Sequence, residues 1–140
     1  MTISKVSETQ QLDVNSISRI SEGTVVKGEL SSLTDIRIDG ALDGKIYSAG
    51  RIVVGEKAQI DGSVYCSDLD LWGKVNGDIY VQNLLSLKSS ASVEGNLHVR
   101  KLQVEMGAEL NGTCKMITEA EFDEAVAGLT SDTVKVEELD

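Results

Sequence analysis

The chain has 140 residues, a net charge of −10, no proline, 41% apolar residues and only 4% Phe, Trp and Tyr. That length fits one domain, and no apolar run approaches the roughly 20 residues of a membrane-spanning helix. The acidic balance opposes a phosphate backbone, so neither an integral membrane protein nor a nucleic-acid binder is expected.

Residues 1–17 are polar, with scattered Ile3, Val6, Leu12, Val14 and Ile17 and no clean period; a flexible N-terminal arm is expected. Residues 117–140 hold eight acids and one lysine, and residues 1–22 three acids and two bases, which leaves net −2 for the middle. The acidic segment is thus a solvating tail on a nearly neutral body. Two cysteines and the lack of an apolar leader fit a reducing, cytoplasmic setting.

Residues 18–116 repeat one five-residue phrase six times: apolar, polar, Gly, polar, apolar. Its glycines are Gly28, Gly44, Gly62, Gly77, Gly95 and Gly112, spaced by 16, 18, 15, 18 and 17 residues. A period in this range signals stacked coils, each burying its face on the next. Two residues before each glycine stand Val26, Leu42, Ile60, Val75, Val93 and Leu110, and two after stand Leu30, Ile46, Val64, Ile79, Leu97 and Cys114. Four before are Thr24, Gly40, Ala58, Gly73, Ala91 and Ala108, all small, as a tight inner corner requires. Upstream of that corner lies a second alternating pair, from Ile36/Ile38 through to Leu102/Val104. Alternation with period two means strand, one face in and one face out.

The spacer between that pair and the small corner residue switches between three residues and one. That marks a surface bend, with the rest of the repeat expected to be regular. Asp61-Gly62 and Asn76-Gly77 are hairpin-type pairs, but the alternation runs straight through the glycine, against a hairpin. The expected fold is all-β: a three-sided parallel β-helix, or solenoid, of about six rungs, on the order of 30 Å long. The crossover rule favours a right-handed coil, to which hexapeptide β-helices are an exception.

Thr118-Glu-Ala-Glu121 is a capping-box pattern, followed by Phe122, Ala125, Val126 and Leu129 at helical spacing. A short amphipathic helix is expected there, folding over the final rung, with a disordered acidic stretch from Ser131. The domains are therefore 1–17, 18–116 and 117–140.

Three residues after each glycine come Ser31, Tyr47, Tyr65, Tyr80, His98 and Lys115, an outward column by parity. Rings on neighbouring rungs stiffen a sheet face, and Tyr47, Tyr65, Tyr80 and His98 also offer a lateral contact. No nucleophile or second carboxylate converges on His98 by register, so no catalytic residue is expected. Cys66 and Cys114, about three rungs apart at inward positions, are too distant for a disulfide and read as core fillers. With a single histidine they give no zinc spacing, and neither nucleotide-binding glycine motif is present. No cofactor, metal or nucleotide is expected.

A β-helix leaves its two ends unsatisfied, each an open row of N–H and C=O groups around an apolar cross-section. The last rung presents Leu102, Val104, Leu110, Cys114 and Met116, and the first Ile20, Val26 and Leu30. Stacking the end of one copy on another pairs those edges and makes the chain its own partner in a homopolymer. Like ends give a filament without polarity, unlike ends a polar one.

The glycine phrases over 24–116, beginning Glu22-Gly-Thr-Val-Val-Lys-Gly-Glu-Leu30 and flanked by short polar tails, resemble the bactofilins across about two thirds of the chain. The resemblance implies a right-handed β-helix that polymerises without nucleotide into non-polar filaments through like-end contacts. It implies a cytoskeletal scaffold acting in cell shape or in positioning partner proteins. Such a scaffold is cytoplasmic and often at the inner face of the membrane, where Ile3, Lys5 and Val6 would make a weak contact. Two other readings of the residues stand beside it. One is an acyltransferase-like trimeric enzyme, which needs strict six-residue repeats and a rung-bridging His or metal set. The other is a monomeric β-helix adaptor, capped by a helix over 119–127, that binds a partner through the tyrosine ladder.

Overall fold

A computed structural model describes residues 18–127. Nine strands follow in order: β1 (Ser18–Ile20), β2 (Val25–Ser32), β3 (Ile36–Ile38), β4 (Ala41–Ser48), β5 (Arg51–Val54), β6 (Gln59–Leu71), β7 (Lys74–Leu87), β8 (Ser92–Val104) and β9 (Glu109–Met116). Every pairing between them is parallel. The result is a β-solenoid of six turns, and its inward columns are the ones expected from the alternation. Val26, Leu42, Ile60, Val75, Val93 and Leu110 stand in register from rung to rung, as do the six glycines. So do Ile36, Ile52, Leu69, Leu85 and Leu102. The interior is a continuous column of buried Ile, Leu and Val, each stabilising by about 1.5–3 kcal/mol.

Two features depart from the sequence expectation. β6, β7 and β8 run 13 or 14 residues and pass through corners without a break, because a bend that keeps its rung-to-rung hydrogen bonds remains strand. A second corner also varies in length. The register shifts between Cys66 and Asp68 and again between Val81 and Leu84, where Gln82 and Asn83 stand above the single Ser67. The uneven glycine spacing therefore sums two adjustable corners, both at the surface, where extra backbone groups reach water.

The small corner residue turns out to encode bend length. Three-residue bends close as turns, with Thr24, Ala58, Ala91 and Ala108 donating their N–H to the carbonyls of Ser21, Gly55, Lys88 and Glu105 at 2.9–3.1 Å. One-residue bends use Gly40 and Gly73 instead. A Cβ on Gly40 would strike the carbonyl oxygens of Thr24 and Ser21, and one on Gly73 those of Gly55 and Ala58.

The central glycines are required for a different reason. From Gly44 to Gly112 their φ values lie between +139° and +144°, and a Cβ would run into the carbonyl oxygen of the glycine one rung below. Gly28, at φ +119°, has no rung below it and faces open space. Gly28→Ala should therefore cost only backbone strain, about 1–3 kcal/mol. Gly77→Ala adds a backbone collision, bringing its cost to about 2–6 kcal/mol. Denaturant midpoints measure both, and equal losses would contradict the stacked-glycine geometry.

Candidate assembly surfaces

The apolar columns run out uncovered at the C-terminal end. Leu87 and Val93 are fully buried, whereas their register partners one rung later, Val104 and Leu110, are 50% and 36% exposed. Val99 is likewise buried, and its partner Met116 is 59% exposed. Leu102 is half-buried, and Cys114 is exposed because among the described residues no rung lies beyond it, so it is not the core filler expected. Cys66 is that filler, with its thiol pushed up by burial. Met106, in the last three-residue bend, is almost wholly exposed beside this end. The alternation could not single it out, since a bend position carries no parity.

The N-terminal end differs. Ile20 and Val26 are 1% and 5% exposed and Leu30 is half-buried, so the inward columns are covered at the first rung, whose exposed apolar side chains, Val25 and Leu33, stand outside those columns. The candidate membrane residues Ile3, Lys5 and Val6 lie outside the described residues.

The helix forms over residues 119–127 and leaves Val104, Leu110 and Met116 exposed. Glu121 donates its N–H to Thr118 Oγ1 at 3.1 Å and accepts from the Thr118 N–H at 3.0 Å, the expected capping box. That N–H, followed by the Thr118 hydroxyl and Lys115, holds the Glu121 carboxyl below its ordinary range. Ile117 donates its N–H to Val99 O at 2.8 Å, extending the ladder by one residue. Ion pairs from Glu119 to Arg100 (3.4 Å) and from Glu121 to Lys115 (3.7 Å) then tie the helix to outward side chains, while Ile117 and Phe122 are buried. The helix is tied to these outward side chains, and among the described residues nothing covers Val104, Leu110 and Met116.

The outward ring column is present as expected. Tyr65 and Tyr80 stack at 4.8 Å with 3° between their planes, Tyr80 and His98 at 4.3 Å with 5°, and Tyr47 is the register partner of Tyr65. Beside it runs a polar chain that the sequence did not reveal: Thr113 donates to Asn96 Oδ1 (2.6 Å), and Asn96 to Asp78 Oδ1 (3.2 Å). Trp72, in its one-residue bend, lies under the Lys88 ammonium at 5.3 Å, a cation–π contact within the chain. Among the described residues no His, Cys, Asp and Glu side chains cluster as a metal site, and no helix is long and apolar enough to cross a membrane.

A family model described as "Bactofilin: Polymer-forming cytoskeletal" matches residues 18–115, the whole solenoid up to its last strand. The chain belongs to the bactofilin family. It is 25% identical to Bactofilin BacO of Myxococcus xanthus (strain DK1622) over 97 residues, covering 69% of this chain and 77% of that protein. No solved structure matches significantly. Bactofilins are polymer-forming structural proteins, and the shared region here is the part whose last rung is open.

The ladder yields a test of its own. Burial, ahead of the nearby Tyr80 and Asp78, raises the Tyr65 phenol above its ordinary value, with Ser63 opposing; burial and then Asp78 raise Tyr80. The folded state thus holds these protons more tightly than the unfolded chain. The stability they contribute is complete below about pH 10 and is lost as pH rises through the folded values. An alkaline titration of tyrosinate absorbance, assigned with Tyr65→Phe and Tyr80→Phe, should show two late phenols. Two ordinary ones would contradict the stacked, half-buried geometry.

Proposed function

We propose that this bactofilin assembles end to end into nucleotide-independent, non-polar filaments, last rung meeting last rung and first rung meeting first rung. The filament is a cytoplasmic scaffold acting in cell shape or in positioning partner proteins. The observation that carries this reading is the open C-terminal cross-section: side chains fully buried in every inner rung have exposed counterparts at Val104, Leu110 and Met116. A capped adaptor would cover them.

Magnitudes explain why both apolar burial and strand pairing are needed. Covering three to five such half-exposed side chains contributes about 2–8 kcal/mol per copy, against roughly 4–15 kcal/mol for lost translational and rotational freedom. The free edge of β9, with Leu102 and Cys114 beneath it, supplies backbone hydrogen bonds that tip the balance. Nothing in that step needs a phosphate to be cleaved. Like ends favour themselves because the apolar columns are open at the C-terminal rung, whereas the first rung keeps Ile20 and Val26 buried and contributes Leu30, the exposed Val25 and Leu33 and its strand edge. The protein's partners are then itself and, through its tails, other proteins and the membrane surface, the latter by a weak contact at Ile3, Lys5 and Val6.

Leu110→Glu and Met116→Glu place a charge on the open face without touching an inner rung. Sedimentation and electron microscopy should show filaments for the unmodified chain, with or without nucleotide, and at least a ten-fold loss of polymer in either variant at unchanged β circular dichroism. Filaments that survive both changes would sink the proposal.

A further inference from the structure

Among the described residues the solenoid keeps its accessible sulfur at one end. Of the chain's three methionines and two cysteines, Met1 lies outside the described residues and Cys66 is buried in an inner rung. Met106, Cys114 and Met116 all belong to the last rung, and all three are exposed. Met106 is 96% exposed in its bend, and Met116 ends the column that Val81 and Val99 fill below it. Those valines are buried and aliphatic, and a mild oxidant leaves them untouched. A cysteine reacts as its thiolate, whereas a thioether takes up oxygen without first losing a proton. Burial raises the Cys114 thiol above its ordinary value and does the same to Cys66, so near neutral pH both stay protonated and slow. The two methionines are the groups that a two-electron oxidant meets first.

We propose that Met106 and Met116 form a reversible oxidation site on the assembly face, with a peroxide as the oxidant and the sulfoxide as the form that does not stack. The sulfur lone pair attacks one oxygen of hydrogen peroxide, and the S–O bond forms as the O–O bond breaks. The departing hydroxide takes the proton of the transferred oxygen and leaves as water; sulfur is oxidised by two electrons and the peroxide reduced by two. The site rests on the proposed contact between last rungs and adds what turns that contact off. A sulfoxide oxygen is a strong acceptor, and burying it in an apolar cross-section that offers it no donor opposes stacking. Each contact between like ends takes in two copies of each sulfur, so two oxidised chains weaken it twice. Exposure couples the chemistry to assembly. A free end presents Met116 to peroxide and a joined end covers it, so oxidation falls on unassembled copies and filament tips. It then drains polymer only as fast as subunits leave.

Peptide mass mapping after mild peroxide treatment should place the added oxygen on Met106 and Met116 in the Leu110→Glu protein, where end stacking is blocked, with Cys66 unmodified. The same treatment of assembled, unmodified chain should label Met116 at least five-fold more slowly. Fully oxidised chain, freed of peroxide, should sediment at least ten-fold less polymer at native circular dichroism. Methionine sulfoxide reductases of both epimer classes should restore the polymer, and dithiothreitol alone should not. Whatever polymer Met106→Leu with Met116→Leu forms should be indifferent to peroxide. Polymer undiminished after both methionines are oxidised, recovery with dithiothreitol alone, or Cys114 oxidised ahead of both methionines would overturn the proposal and leave end stacking standing. A chain that forms no polymer before any peroxide is added would overturn the stacking and the switch together.

Discussion

Parallel hydrogen bonding between successive rungs, held in one register over six turns, is the constraint on which the molecule depends. A strand that slips by one residue turns its whole apolar set outward, so register and core stand or fall together. The glycine column sets how closely the rungs approach at that corner, since any Cβ there would meet the carbonyl of the rung below. Corner length, by contrast, is free to vary. The chain adds or removes residues at two corners, and the inward columns remain superimposed.

That division explains what the sequence made legible. The inward positions obey period two and recur about the glycines, so six rungs, their register and the ring column follow from residue order. Bends carry no parity, and the second variable corner, the exposed Met106 and the flank position of the helix were correspondingly hidden. The helix itself is announced by its capping box, but its site is set by Arg100 and Lys115, which only the fold brings beside Glu119 and Glu121. Cys114 shows the same limit. Parity places it inward, yet whether an inward residue is buried at the last rung depends on what lies beyond, and here nothing among the described residues does. The choice of Gly or of Thr and Ala at the inner corner was visible in the letters, but its meaning as a length code needed the carbonyls that crowd Gly40 and Gly73.

A repeat protein is ordinarily finished by terminal units whose outer face is polar. This chain has one end with Ile20 and Val26 buried and one end where the core continues to the surface. Family membership as a polymer-forming protein and an unfinished last rung both support the proposed end-to-end assembly, in which another molecule would complete the apolar column.

Diffraction from oriented, assembled protein tests the central claim most directly. Rods stacked through their ends keep strands perpendicular to the filament, giving an axial reflection near 4.8 Å and a subunit rise on the order of 30 Å, doubled to about 60 Å when like ends meet. A filament whose 4.8 Å reflection lies across its axis, so that the rods pack side by side along its length, would contradict the account.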